Sequence, residues 1–78
     1  MENKSKVYEI VWVDSRFFDG WHSISDTSRM KYSTVSSIGQ VVFDDKECIV
    51  LALNVGDSSN VSDCIAIAKK SILRKIRR

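Results

Sequence analysis

The segment that decides the fold runs from Ile38 to Ala68 and reads IGQVVFDDKECIVLALNVGDSSNVSDCIAIA. It holds three apolar runs, at residues 41–43, 48–53 and 64–68, and polar residues separate them. Short apolar runs bounded by Asp, Asn, Gly and Ser are typical of strands joined by tight connections. The segment therefore predicts an antiparallel β-meander.

The register of this meander follows from the centres of its two connections. A hairpin centred on Asp45-Lys46 gives the pairs Val42 with Ile49, Gln40 with Leu51 and Ile38 with Leu53. A loop centred near Ser58 sets Ile67 beside Ile49 and Ile65 beside Leu51, so one face of the sheet is large and aliphatic.

The opposite face collects smaller apolar side chains. Either the rest of the chain covers this face or a second subunit packs on it, because monomers seldom keep a contiguous apolar patch exposed. The candidate subunit-interface residues are Val41, Phe43, Val50 and Ala66.

Outside the meander, the strand from Val7 to Val13 is predicted by its β-branched and aromatic residues. Residues 14–32 form a long excursion with a short helical turn near Asp26, and the strand from Ser33 to Phe43 contains Gly39 as a bend or bulge. The C-terminus admits two interpretations. One is a helix from Ser62-Asp63 to Arg77, and the other is a strand to Ala68, a 3₁₀ turn at residues 69–71 and a closing strand from Ile72.

Length and composition predict one folded domain spanning residues 1–78, with a flexible N-terminus at residues 1–5. The apolar fraction of 44% is too high for a disordered chain. No apolar signal core follows the first residues, and the longest apolar run is far shorter than the roughly 20 residues that cross a bilayer. We expect a cytoplasmic protein with no membrane partner.

The two cysteines are predicted to be reduced and buried. The register places Cys64 opposite Ala52 and Cys48 opposite Ala68, so the two thiols lie about 13 Å apart along the sheet, at roughly 3.3 Å per residue. A disulfide does not span that distance.

Several short segments resemble small phage- and prophage-encoded proteins of unknown function that are expected to form an SH3-like barrel. The similar segments, in chain order, are residues 11–15, 20–23, 37–41, 49–52, 61–63, 67–69 and 76–78. Such proteins carry Ile-Pro-Lys where this chain has Ile67-Ala68-Lys69, and a proline there would exclude a helix through this point. The resemblance therefore implies a mainly β, SH3-like antiparallel barrel of about five strands with a short helical or 3₁₀ turn, and it implies no activity.

No residue pattern points to catalysis, a metal or a cofactor. His22 is the single histidine, and no spacing joins it to a serine or cysteine nucleophile. Asp14, Asp19, His22 and Asp26 share one loop without any established ligand spacing, and the three glycines are too scattered for a phosphate loop. We expect a protein that acts by binding.

Two surfaces are candidates for binding. The aromatic excursion offers Phe17, Phe18, Trp21 and His22 as partner-binding residues, since in adjacent Phe17 and Phe18 only one side chain points inward. The last ten residues hold six cations and no carboxylate, whereas the rest of the chain holds six cations and ten carboxylates. These candidate polyanion-binding residues are Lys69, Lys70, Arg74, Lys75, Arg77 and Arg78.

The favoured hypothesis is a non-enzymatic phage or prophage accessory protein, a small β-barrel module that forms a homo-oligomer and binds a protein partner in the host cytoplasm. One alternative is nucleic-acid binding through the basic C-terminus. Another is sequestration of a small nucleotide-like ligand, in a role that opposes host defence.

Overall fold

Five strands and two short 3₁₀ helices make up the part of the chain that the computed structural model describes, residues 6–78. The predicted flexible segment, residues 1–5, lies outside the described residues. The elements in order are β1 (Val7–Asp14), a first 3₁₀ helix (Ile24–Arg29), β2 (Ser33–Asp44), β3 (Cys48–Val55), β4 (Val61–Ala68), a second 3₁₀ helix (Lys69–Ser71) and β5 (Ile72–Arg77). The predicted mainly β chain of five strands with a short helical turn is confirmed.

The strands form one antiparallel sheet in the order β4-β3-β2-β1-β5. The sheet does not close into a barrel, which corrects that part of the prediction. After the second 3₁₀ helix, β5 pairs with β1 and does not return along β4, so β4 and β5 remain the two edges among the described residues.

The C-terminal segment adopts the second of its two predicted conformations. Ile67 is 1% exposed and belongs to the core, and Ile72 packs against that core from the next strand. A helix from residue 62 to 77 would break the ladders that join β4 to β3 and β5 to β1. Tertiary packing therefore overrides the helix propensity of this segment.

The main buried cluster lies on one face of the sheet and draws on strands that are not all neighbours. Its fully buried cluster consists of Ile10 in β1, Ile49 and Leu51 in β3, and Ile67 in β4. In a flat sheet β1 and β4 would lie about 14 Å apart, three spacings of roughly 4.8 Å. Contact among these side chains requires the sheet to curl tightly around them.

Gly39 in β2 allows this curl. A Cβ atom at this position would lie 2.9 Å from the carbonyl oxygen of Ala52 and 3.2 Å from Cβ of Leu51. Only a residue without a side chain permits β3 to approach so closely. The predicted bend at Gly39 thus corresponds to a close contact between strands.

The predicted register between β3 and β4 is confirmed. Cys48 pairs with Ala68, Ile49 with Ile67, Leu51 with Ile65, and Ala52 with Cys64.

The predicted register between β2 and β3 is wrong. The ladder joins Gln40 to Ala52, Val41 to Leu51, Phe43 to Val50 and Asp44 to Ile49. One cause is the turn, where Oδ1 of Asp45 accepts hydrogen bonds from the backbone N–H groups of Glu47 at 2.8 Å and Cys48 at 2.9 Å. The other is a register shift between Val41 and Phe43, typical of a β-bulge.

This shift changes which side chains face the core. Val41 pairs with Leu51 and packs against the core, so its predicted place on the face opposite the core is wrong. Ile38 and Val42, predicted on the aliphatic core face, are 58% and 39% exposed. One extra residue in β2 is enough to move the side chains on one side of the bulge to the opposite face, because side chains alternate between the two faces of a strand.

Candidate interaction surfaces

Because β1 extends through Asp14, the excursion spans residues 15–32 in the structure, and its own polar groups hold it in shape. The Ser23 hydroxyl accepts a hydrogen bond from the backbone N–H of Asp26 at 3.3 Å and caps the first 3₁₀ helix. The Arg29 guanidinium pairs with the Asp26 carboxylate at 2.8 Å, and Nε2 of His22 donates to the backbone carbonyl of Asp19 at 2.8 Å. These local bonds give the excursion a defined surface with little help from the core.

That surface presents large apolar side chains to solvent. The exposed fractions are 101% for Trp21, 89% for Phe17, 89% for Ile24 and 66% for Tyr32. Phe18 is half-buried, and the Arg16 guanidinium lies 4.7 Å from the centre of its ring. Of the four predicted partner-binding residues, Phe17, Trp21 and His22 are exposed and Phe18 is half-buried.

The two tryptophans have opposite environments. Trp12 packs against the core, and its Nε1–H donates to the Ser37 hydroxyl at 3.1 Å. Trp21 touches the core nowhere and is fully exposed. Packing in the core explains the presence of Trp12 but not that of Trp21.

The outer face of the sheet, opposite the core, carries a second apolar surface. Phe43 pairs with Val50, and Val50 pairs with Ala66, so the three side chains form one row across β2, β3 and β4. Phe43 is 52% exposed, Ala66 is exposed and Val50 is half-buried. Three of the four predicted interface residues therefore share this row, and Val41 lies on the core side.

Carboxylates neutralise part of the basic C-terminus. Lys69 Nζ lies 2.5 Å and Lys75 Nζ lies 3.8 Å from carboxylate oxygens of Asp44. The Arg78 guanidinium pairs with Glu9, whose other carboxylate oxygen accepts a hydrogen bond from the Ser36 hydroxyl at 2.5 Å. The basic residues thus do not form one uncompensated positive face.

These contacts lower the pKa of the carboxyl groups they involve. The pKa of Glu9 lies below its ordinary value, chiefly because of the Ser36 hydrogen bond and then the Arg78 contact. The hydrogen bond from Lys69 likewise lowers the pKa of Asp44. For Asp45 the cause is the pair of backbone N–H donors of the turn, from Cys48 and Glu47.

The cysteines are free thiols, as the register predicted. Cys48 is half-buried and Cys64 is exposed, so the prediction that both are buried is wrong. Cys64 lies on the edge strand β4, on the face opposite the core-facing Ile67.

The remaining features of the surface are modest. A hollow of about 300 Å³ is lined by Lys46, Glu47, Ala68, Lys69 and Lys70, and another of about 270 Å³ lies beside the β3–β4 loop. Within residues 6–78, no three His, Cys, Asp or Glu side chains are grouped as metal ligands would be. The same residues contain no helix with the length and apolar character needed to cross a membrane.

Two features of these surfaces do not follow from the sequence pattern. Ile24 extends the exposed apolar surface of the excursion, and it is visible in the sequence as a lone aliphatic residue in a polar run. The unpaired edge strand β4 is the second such feature, because the predicted closed barrel has no edge strand.

No family model, curated protein or solved structure matches this chain at a significant level.

Proposed function

We propose that the chain is a non-enzymatic interaction module that self-associates and binds a protein partner through the excursion. The resemblance to phage and prophage proteins adds the proposal that it is an accessory protein of that origin, with an SH3-like ancestry, acting in the host cytoplasm. The observation that carries the proposal is the exposure of Trp21, Phe17 and Ile24 on a structured loop.

The exposure of these side chains is costly in a free protein. Burying a large apolar side chain stabilises by about 1.5–3 kcal/mol, and that stabilisation is forgone for each of the three. The excursion that carries them nevertheless contains a capped 3₁₀ helix and an ion pair. Tryptophan is enriched among residues that dominate binding energy at protein interfaces, where its large area is covered at low entropic cost.

The distribution of charge favours a protein partner over a nucleic acid. Asp44 and Glu9 already engage Lys69, Lys75 and Arg78, so binding phosphates would require breaking or sharing these contacts.

The proposal is tested by recovery of host proteins on the immobilised chain, followed by mass spectrometry. The test variant replaces Phe17 and Trp21 with serine. The matched control is Leu73→Ser, which removes a side chain that is 58% exposed on β5, outside the excursion.

The expected result is a partner retained by the wild type and by the Leu73→Ser control but lost from the double variant. Recovery of the same proteins by all three chains would show that the excursion is not the binding surface. Circular dichroism of each variant confirms that the sheet is intact.

A further inference from the structure

The two edges of the sheet are protected to different degrees. β5 carries Arg74, Lys75 and Arg77, and its register with β1 shifts at a bulge near Trp12. Cations and bulges are the usual devices that prevent an edge strand from pairing with another chain. β4 carries one charge, on Asp63, where the backbone has a φ of 56°.

The left-handed backbone at Asp63 interrupts the first part of β4 only. Beyond it, Cys64 to Ala68 is a run of five residues without a charge, a proline or a positive φ. Within residues 6–78 no strand pairs with its outer side. This run, which we call the open edge, is the unprotected part of the sheet.

The pairing of β4 with β3 determines which residues of the open edge direct their backbone N–H and C=O groups outward. The backbone N–H of Lys69 donates to the carbonyl of Glu47 at 2.9 Å. Since bonding alternates along an antiparallel ladder, Ile65 and Ile67 bond to β3, and Cys64, Ala66 and Ala68 direct their N–H and C=O groups outward.

We infer that a second copy of this chain pairs with the open edge, antiparallel about a two-fold axis at Ala66. This inference rests on the self-association in the proposed function and names the surface responsible. In this register Ala66 lies opposite the partner's Ala66, and Cys64 lies opposite the partner's Ala68. All three outward-directed residues then bond to outward-directed residues, which gives six backbone hydrogen bonds.

A second copy is the occupant because the open edge is complementary to itself. The outward groups are spaced symmetrically about Ala66, so one surface serves both partners, as a two-fold interface requires. The same register sets Asp63 opposite the partner's Lys69. The Lys69 ammonium has three donors and so retains its contact with Asp44 while it faces this second carboxylate.

The outer face is consistent with the same pairing. Phe43, Val50 and Ala66 form a row that ends at the open edge. Across the two-fold axis this row continues into the partner's Ala66, so the two outer faces join into one apolar strip.

The first test is sedimentation velocity over a range of protein concentrations, comparing wild type with Ala66→Pro and Ala66→Ser. Proline removes the outward N–H of residue 66 and leaves the bonds of Ile65 and Ile67 to β3 in place. We expect a wild-type dimer, a serine variant close to wild type, and a dissociation constant raised at least about tenfold by proline.

The second test is oxidative crosslinking, which does not depend on how the proline variant folds. One chain carries Cys48→Ser, Cys64→Ser and Ala66→Cys, and the matched control carries Cys48→Ser alone and so retains Cys64. Paired residues at position 66 lie about 5.5 Å apart, within disulfide reach. The Cys64 thiols are offset by four residues, about 13 Å.

Crosslinking at position 66 and not at Cys64 supports the pairing. A dimer that crosslinks through Cys64 overturns the open-edge pairing. So does a dimer that persists in Ala66→Pro and does not crosslink at position 66. Either result leaves self-association standing. A wild type that stays monomeric at all concentrations overturns both.

Discussion

Replacing Gly39 with alanine tests the close approach of β2 and β3 on which the curl of the sheet depends. The added Cβ would lie 2.9 Å from the Ala52 carbonyl oxygen and 3.2 Å from Cβ of Leu51. The backbone of Ala52 and the first side-chain atom of Leu51 lack the freedom of a flexible side-chain end. The two strands must therefore move apart to accommodate the methyl group.

The expected cost follows from two opposing contributions. Overpacking a well-packed core costs about 1–3 kcal/mol, and replacing glycine within a strand returns roughly 0.5–1 kcal/mol of conformational entropy. We therefore expect Gly39→Ala to lower the free energy of unfolding by about 1–2 kcal/mol. In a domain of this size, this corresponds to a melting temperature lower by about 5–15 °C.

The assay is reversible urea unfolding followed by far-ultraviolet circular dichroism, with Gly56→Ala as the control. A Cβ at Gly56 meets only the carbonyl oxygen of Asn60, at 3.3 Å, so this change is expected to stay within about 0.5 kcal/mol of wild type. If Gly39→Ala proves as stable as wild type, β3 does not approach β2 as described, and the physical account of the curl fails.

The remaining predictions concern exposure and charge. Trp21→Ala should change the free energy of unfolding by less than about 0.5 kcal/mol, whereas Trp12→Ala should cost at least about 2 kcal/mol, measured by chemical unfolding. Because folding lowers the pKa of Glu9, its contribution to stability is present at neutral pH. This stabilisation is lost as the pH falls below about 4.3, the unfolded-state pKa, and then through the lower folded-state pKa. The melting temperature of Glu9→Gln should therefore depend less on pH in this range than that of the wild type. In native protein Cys64 should react with a thiol reagent faster than Cys48, and equal rates would contradict the difference in their exposure.

The local patterns of the sequence located the strands well. Each predicted strand lies within an observed one, and the loop centred near Ser58 gave the β3–β4 register correctly. The β2–β3 turn was misplaced by one residue, because the Asp45 side chain accepts two backbone hydrogen bonds and the turn is centred on Lys46-Glu47. The bulge between Val41 and Phe43 was not predicted, and it is this extra residue that turns Val41 to the core face.

The candidate surfaces were predictable only in part. Adjacent Phe17 and Phe18 predicted that one ring would be exposed, and the structure places Phe17 in solvent. The composition of the C-terminus showed its cations but not the carboxylates that meet them. Asp44 lies far from Lys69 and Lys75 in the sequence, and only the folded sheet brings them together.

The sequence by itself determined that this chain is mainly β, where most of its strands run and that its cysteines do not bridge, because alternation and turn residues act locally. Tertiary structure decided the rest. The bulge after Val41, the approach of β3 over Gly39 and the choice of strand over helix at the C-terminus depend on contacts between distant residues. The order of the strands likewise packs Trp12 against the core, leaves Trp21 in solvent and places β4 at an edge of the described sheet, and no local pattern specifies that order.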